Sequence, residues 1–270
     1  MMKYCSIKDV VSRHTSLLLF VMSIFPSVVL ATWNEQGRDF SGELILEGLV
    51  TSVRNPWIWQ TGTTHNRYQI KEKPQGSDVL MWQGLMSSQP LLIGKTSLVT
   101  PAGREGLAPQ VSFGSGQSDI TLNPAGDGVI LVRLPVYSLG DQVPAVGSLQ
   151  FRMKVVALIR YTVNGASVYA GLYNDLAGNG LPNKGLEMMA SRSASELCKI
   201  FAGEGPDWLC SSSFIIRESE ALSRFTDPSL RYIEGVYGVR TVAGSGTLYI
   251  EGKSIPSSWK AALPVSIEYH

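Results

Sequence analysis

Three cysteines and three histidines are the scarcest reactive side chains of this 270-residue chain. Cys198 and Cys210 stand close in sequence, and a lone pair of thiols in an oxidising compartment favours a disulfide. Closing a loop of that size stabilises a fold by about 3 kcal/mol in the chain-entropy model. The competing chemistry is a metal held by the two thiolates, with His65 and His270 as the imidazoles beyond residue 31. His65 belongs to a polar, turn-like stretch, Thr61–Asn66, where a solvated imidazole is the ordinary case. Asp175–Gly180 has the outline of a calcium loop but lacks alternating oxygen ligands and a distal Glu, so it reads as a turn. Glu218 and Glu220 are the carboxylates that could pair in space. No Gly-x-Ser-x-Gly elbow, His-Glu-x-x-His helix or phosphate-binding loop accompanies them. The expectation is a protein that is not an enzyme and needs no cofactor or metal.

The elements that position these residues begin after residue 31. Lys3, Lys8 and Arg13 precede an apolar stretch, Ser16–Val29, and Val29-Leu30-Ala31 has the small-residue character of a cleavage site. That order predicts a secretory signal peptide over 1–31. The stretch is shorter than the roughly 20 residues of a membrane-spanning helix, and Pro26 interrupts it. Cys5 precedes the apolar stretch and is not placed as a lipoprotein cysteine. Removing Lys3, Lys8, Arg13 and Asp9 with this segment turns the formal charge from +1 to −1. Such a chain has no field to draw it to nucleic acid or an anionic membrane.

Gly and Pro punctuate short β-rich runs, the pattern of a sandwich or barrel. Predicted strands are Phe40–Val50, Leu91–Val99, Gln110–Phe113, Asp119–Leu122, Gly128–Tyr137, Leu149–Val163, Tyr232–Thr241, Gly246–Glu251 and Ala262–Tyr269. Leu149, Phe151, Met153 and Val155 alternate with Gln150, Arg152 and Lys154, which predicts one buried and one wet face. Gly128–Tyr137 is apolar at both parities and reads as covered on both faces. Leu186, Met189, Ala190, Ala194, Leu197, Ile200 and Phe201 instead form a helical stripe. A second helix is expected over Phe214–Phe225, ended by Asp227-Pro228. The region from about Asn164 to Arg231 thus reads as an α-containing insertion in a β-sandwich.

The two ends carry more. Phe40, Gly42, Leu44, Leu46, Gly48 and Val50 share one parity, so an extended strand has four large apolar side chains and two gaps on one face. Periodicity alone leaves open whether this is an ordinary first strand or one donated to another molecule. At the other end Val265, Ile267 and Tyr269 alternate and the chain stops one residue later. A strand flush with a terminus is unusual, since termini commonly fray.

Together these residues resemble the K-eighty-eight type of fimbrial subunits from enteric bacteria. Asp39-Phe40-x-Gly42 with its apolar alternation is similar to that family's N-terminal extension, and Trp57-Ile58-Trp59 to its Trp-x-Trp. Pro90-Leu-Leu-Ile-Gly94-Lys-Thr (approximately), Pro109-Gln-Val-Ser-Phe113 and Ala262-Leu-Pro-Val-Ser-Ile-Glu-Tyr269 resemble further family segments. The resemblance is weakest over about 164–231.

It implies an incomplete immunoglobulin-like sandwich, mainly β, completed by a donated strand. Residues 32–50 become a donor-strand extension and 51–270 the subunit domain. Phe40, Leu44, Leu46 and Val50 fill a neighbour's groove, with Gly42 and Gly48 where it is shallow. Val265, Ile267 and Tyr269 form the last strand, which a periplasmic chaperone pairs with before an outer-membrane usher and other subunits take over. The product reaches the cell surface through the periplasm as part of a fimbrium. The expected role is a minor structural subunit contributing to fimbrial biogenesis and host attachment. The alternative is a carbohydrate-binding adhesin recognising host glycoconjugates, for which Trp208 is the candidate sugar-stacking ring, unless it packs on the disulfide.

Overall fold

Alternation of apolar side chains dictates the longest strand. In β9 (Gly147–Val163), Leu149, Phe151, Met153 and Val155 are buried, while Gln150, Arg152 and Lys154 are not. The computed structural model describes residues 40–43, 55–62, 79–139, 144–178, 180–183, 190–211, 218–252 and 256–270. The chain divides into two compact units, Met1–Ala31 and Thr32–His270, and every described residue belongs to the second. The signal segment therefore lies outside the described residues.

One sheet sets β10 (Ala166–Tyr173), β9, β12 (Arg231–Thr241), β4 (Pro90–Thr96) and β2 (Trp57–Thr61) side by side. The two-residue β11 (Glu220–Ala221) runs parallel to the end of β10, and β5 (Thr100–Ala102) pairs with the start of β12. The first half of β9 leaves this row to pair with β8 (Val129–Ser138) and β13 (Thr247–Glu251). Those two carry β7 (Thr121–Pro124), β14 (Trp259–Lys260) and β3 (Val79–Trp82). A second sheet has the order β1 (Phe40–Glu43), β15 (Pro264–Tyr269), β6 (Pro109–Phe113). The protein is mainly β, and its sheets do not close into a barrel, as in an immunoglobulin-like sandwich.

Past Val155 the alternation of β9 stops, and Val155–Ile159 are all buried. The cause is α1 (Ala190–Phe201), which lies over β9, β10 and β12. Its Ala194, Leu197, Ile200 and Phe201 are buried, as the helical stripe predicts. Close approach rests on Gly238: a Cβ there would come within 2.8 Å of Leu197 and 3.2 Å of Ile200.

Several expectations change. Gly128–Tyr137 is covered on one face: Ile130, Val132, Leu134 and Val136 are buried, while Leu131 and Arg133 are exposed. Its apolar outer residues reflect β-propensity rather than a second covering layer. The stretch beginning at Asn164 opens with β10, which forms a hairpin with β9 inside the main sheet, so the α-containing part follows Tyr173. The second helix is, in its described part, β11 followed by a 3-10 helix, Leu222–Thr226. Leu222 and Phe225 are its buried residues, and their spacing of three suits the 3-10 period. Residues 212–217 lie outside the described residues. Strands β2, β3, β5, β10, β11 and β14 fall outside the sequence-predicted strands.

Candidate functional site

The last strand is where the two sheets are locked together. Val265 and Ile267 of β15 point into the core, buried with Leu263. On one edge β15 pairs with β6 over its whole described length but its first residue, from Val265 opposite Phe113 to Tyr269 opposite Pro109. The terminus does not fray, because His270 and Ala108 exchange both backbone hydrogen bonds at 3.0 Å. That gives the flush end an intramolecular cause.

Tyr269 reaches across the sandwich. Its hydroxyl accepts a hydrogen bond from Trp59 Nε1 at 2.8 Å. Trp59 stacks on Trp57 (5.2 Å between centroids, 16° between planes), and Trp57 Nε1 donates to the Leu107 carbonyl at 2.9 Å. Both indoles are fully buried, and Trp59 lies over Gly94, where a Cβ would fall 2.3 Å from the ring. The Trp-x-Trp pair is thus a core element that buttresses the last strand from the opposite sheet. Tyr237, edge-on to Trp59, is also enclosed, and burial pushes its phenol well up from the ordinary value.

The other edge of β15 is taken by β1. The pairing is antiparallel and four residues long: Phe40 stands opposite Ile267, Ser41 opposite Ser266, Gly42 opposite Val265 and Glu43 opposite Pro264. Phe40 and Gly42 thus occupy the register positions of the two buried residues of β15. Leu44, Leu46, Gly48 and Val50 lie outside the described residues.

A second cluster surrounds the disulfide. Cys198, in the last turn of α1, is bonded to Cys210, with a Cα–Cα distance of 5.4 Å. Trp208, in the loop between them, is 9% exposed and donates from Nε1 to Glu234 Oε1 at 3.0 Å. Glu234 also binds Arg160 at 2.6 Å, and the Arg160 guanidinium lies 5.9 Å from the Trp208 ring and 5.8 Å from that of Tyr169. Trp208 is therefore a pin that fastens the lobe to β9 and β12. On the helix, Glu196 pairs with Arg240 of β12 at 2.8 Å. Burial raises the Glu196 carboxyl, but the hydrogen bond and charge of Arg240, with Lys154 and Lys199 beyond, bring it below the ordinary carboxylate value.

Of the two carboxylates singled out by chemistry, Glu220 has a structural role. Glu220 accepts hydrogen bonds from Tyr161 and, at 2.9 Å, from Arg224 Nε, which ties the 3-10 helix to β9. Among the described residues no three His, Cys, Asp or Glu side chains are grouped to hold a metal ion. His65 lies outside them. No local spacing announces the Trp59–Tyr269 bond or Glu234 as the hub of the lobe. Both join residues far apart in the chain.

The open sandwich thus pairs its last strand with β6 on one edge and with a short N-terminal strand on the other. The family described as "Fimbrial, major and minor subunit" matches residues 12–270, and the chain belongs to this K88 family of fimbrial subunits. It is 44% identical over 260 residues to the K88 minor fimbrial subunit FaeI of Escherichia coli, covering 95% of this chain and 99% of that relative. Membership makes the protein a structural subunit that assembles with other fimbrial subunits in a surface fimbrium. No helix among the described residues is long and apolar enough to cross a membrane.

Proposed function

We propose that this protein is a minor subunit of a chaperone–usher fimbria and that it polymerises by strand donation. Residues 1–31 direct export. A periplasmic chaperone then pairs with β15, and at the outer-membrane usher the extension of a neighbouring subunit takes the chaperone's place. The donated residues are Phe40, Leu44, Leu46 and Val50, with Gly42 and Gly48 between them. The carrying observation is the β15 edge. It presents backbone groups beside the buried Val265 and Ile267, and an N-terminal strand of the right parity pairs with it. Each large apolar side chain laid in such a groove contributes about 1.5–3 kcal/mol. Pairing also closes an edge that would otherwise template aggregation. The name of the relative, a minor fimbrial subunit, supports the minor role.

The building-block reading is favoured over the adhesin because Trp208, the candidate sugar platform, is buried and hydrogen-bonded to Glu234. Host attachment is then a property of the fibre to which the subunit contributes. Deleting Asp39–Val50 tests donation: the shortened subunit should copurify with its chaperone and fail to enter fibres. Leu44→Arg should act in the same way by placing a charge in an apolar groove. Normal incorporation of either form would overturn the reading. A glycan array on a strand-complemented monomer tests the adhesin alternative, which specific, saturable binding would restore.

A further inference from the structure

Six large apolar side chains are exposed among the described residues: Val79, Leu98, Val99, Leu131, Leu139 and Tyr232. Three of them lie together at one end of the main sheet. Leu98 and Val99, 57% and 47% exposed, form the turn between β4 and β5, and Tyr232, 62% exposed, lies near the start of β12. Thr100, next to Val99, stands opposite Ile233, next to Tyr232. We propose that Leu98, Val99 and Tyr232 form a docking surface for the subunit that accepts this chain's N-terminal strand. The proposal rests on the strand-donation reading and adds to the strand a contact between the two folded bodies.

The occupant follows from where the chain enters the sandwich. The amide and the hydroxyl of Ser97, beside Leu98, both donate to the Pro56 carbonyl, at 2.8 and 3.0 Å. Asn55, one residue earlier, is buried; its side chain donates to the Gly106 carbonyl at 2.8 Å and accepts from the Trp57 amide at 2.9 Å. The patch therefore flanks the anchored point beyond which the donated residues, Phe40–Val50, begin. Only residues 51–54 separate Val50 from Asn55. By any path these four span at most about 13–14 Å. That is less than the radius of gyration, about 18 Å, expected of a domain of this size. An acceptor that holds the strand up to Val50 is thus brought against this end of the sheet.

The backbone at Tyr232 points the same way. Against β9, Arg231 stands opposite Thr162 and Glu234 opposite Arg160, so β12 carries one extra residue, a bulge. Bulges re-aim side chains. Within this one Tyr232 takes a φ of 52°, the left-handed region that strains a bulky residue and that glycine occupies freely. A strained tyrosine is thus kept where a glycine would be relaxed, and its ring is turned to solvent rather than into the core. Apolar groups exposed together mark interaction sites, and tyrosine is prominent among the residues that carry binding energy in them. The exposed Arg104, Glu105 and Arg231 supply the polar rim of such an interface. Val79, Leu131 and Leu139, on β3, on β8 and just after β8, have no such place beside the chain's entry.

Photo-crosslinking in assembled fibres reads the contact. Benzoylphenylalanine replaces Leu98 or Tyr232 to probe the patch, Phe40 to mark the acceptor, and Leu139 as the control. Each full chain is expressed with its own fimbrial subunits, the fibres are irradiated, and the links are mapped by mass spectrometry. The expected result is that positions 98 and 232 link to the same neighbouring subunit as position 40, while position 139 does not. Linking from position 40 without both 98 and 232, or equal linking from 139, overturns the docking surface and leaves strand donation standing. No link between subunits from position 40 overturns donation itself. Links from 98 and 232 to a different subunit, a lipid or a glycan overturn the choice of occupant. Tyr232→Gly supplies a second reading, since it relieves the left-handed strain and removes the ring. The purified monomer should melt no lower than the native one, while fibre joints should dissociate at least tenfold faster in denaturant. A lower melting temperature would assign the ring to the fold, and an unchanged dissociation rate would remove it from the joint; either overturns the proposal.

Discussion

The helix lobe and the last-strand sheet flank the same core but are closed by different means. The lobe is held by its own side chains: the Cys198–Cys210 bond, Glu196 with Arg240, and Trp208 with Glu234 and Arg160. The last strand has β6 on one edge, four residues of β1 on the other, and a side-chain bond across the sandwich from Trp59 to Tyr269. Side-chain locks are specific to their partners and hold one arrangement. A backbone edge accepts any strand of the right parity and so discriminates less between partners.

The sharpest way to break this contrast is to remove the buttress behind the last strand. Trp59→Ala empties a fully buried indole site and should cost about 3–5 kcal/mol in guanidinium unfolding. A loss under about 1 kcal/mol would mean that β15 does not depend on the opposite sheet. Next in size, replacing Cys198 and Cys210 together by Ala should cost about 3 kcal/mol. Hydrogen exchange should then rise in α1 while the amides of β15 stay protected. Equal loss in both regions would show that the two are not separately closed. Tyr269→Phe leaves the Trp59 N–H without that acceptor, at about 1–2 kcal/mol, and exchange should rise along β15 with α1 unchanged.

The smallest effect is on pH. The Glu196 carboxyl is lowered in the folded protein from its ordinary 4.5. Its contribution is therefore complete above that value and is lost as pH falls through the folded one. Melting between pH 6 and pH 3 should fall more steeply in the native protein than in Glu196→Gln, whose own cost at pH 6 is about 1 kcal/mol. Parallel curves would remove the Glu196–Arg240 pair from the lobe's closure.

Much of this architecture can be read from local pattern, and the limit is physical. Leu149, Phe151, Met153 and Val155 announce a half-buried strand because a period of two is written in adjacent residues, and α1 declares itself by its stripe. The burial of Val156 and Leu158 on the outer face of β9 is not written there, since it depends on a helix more than thirty residues away. Leu131 misled in the opposite sense: an apolar residue on an exposed face looks like a core residue in one dimension. Of the candidate site, the parity of Phe40, Gly42, Val265 and Ile267 was legible, and so was the cysteine pair. Which edge the N-terminal strand meets, and that Tyr269 is held by an indole 210 positions earlier, are facts of topology that no spacing encodes.

The antiparallel register between β1 and β15 has a mechanical meaning as well. A tug on the chain along the axis of β1 loads all four rungs at once, in shear, instead of opening them one after another as a zipper peels. Resistance then grows with the number of rungs under load. A register that adds rungs strengthens such a joint against traction without any new side-chain bond.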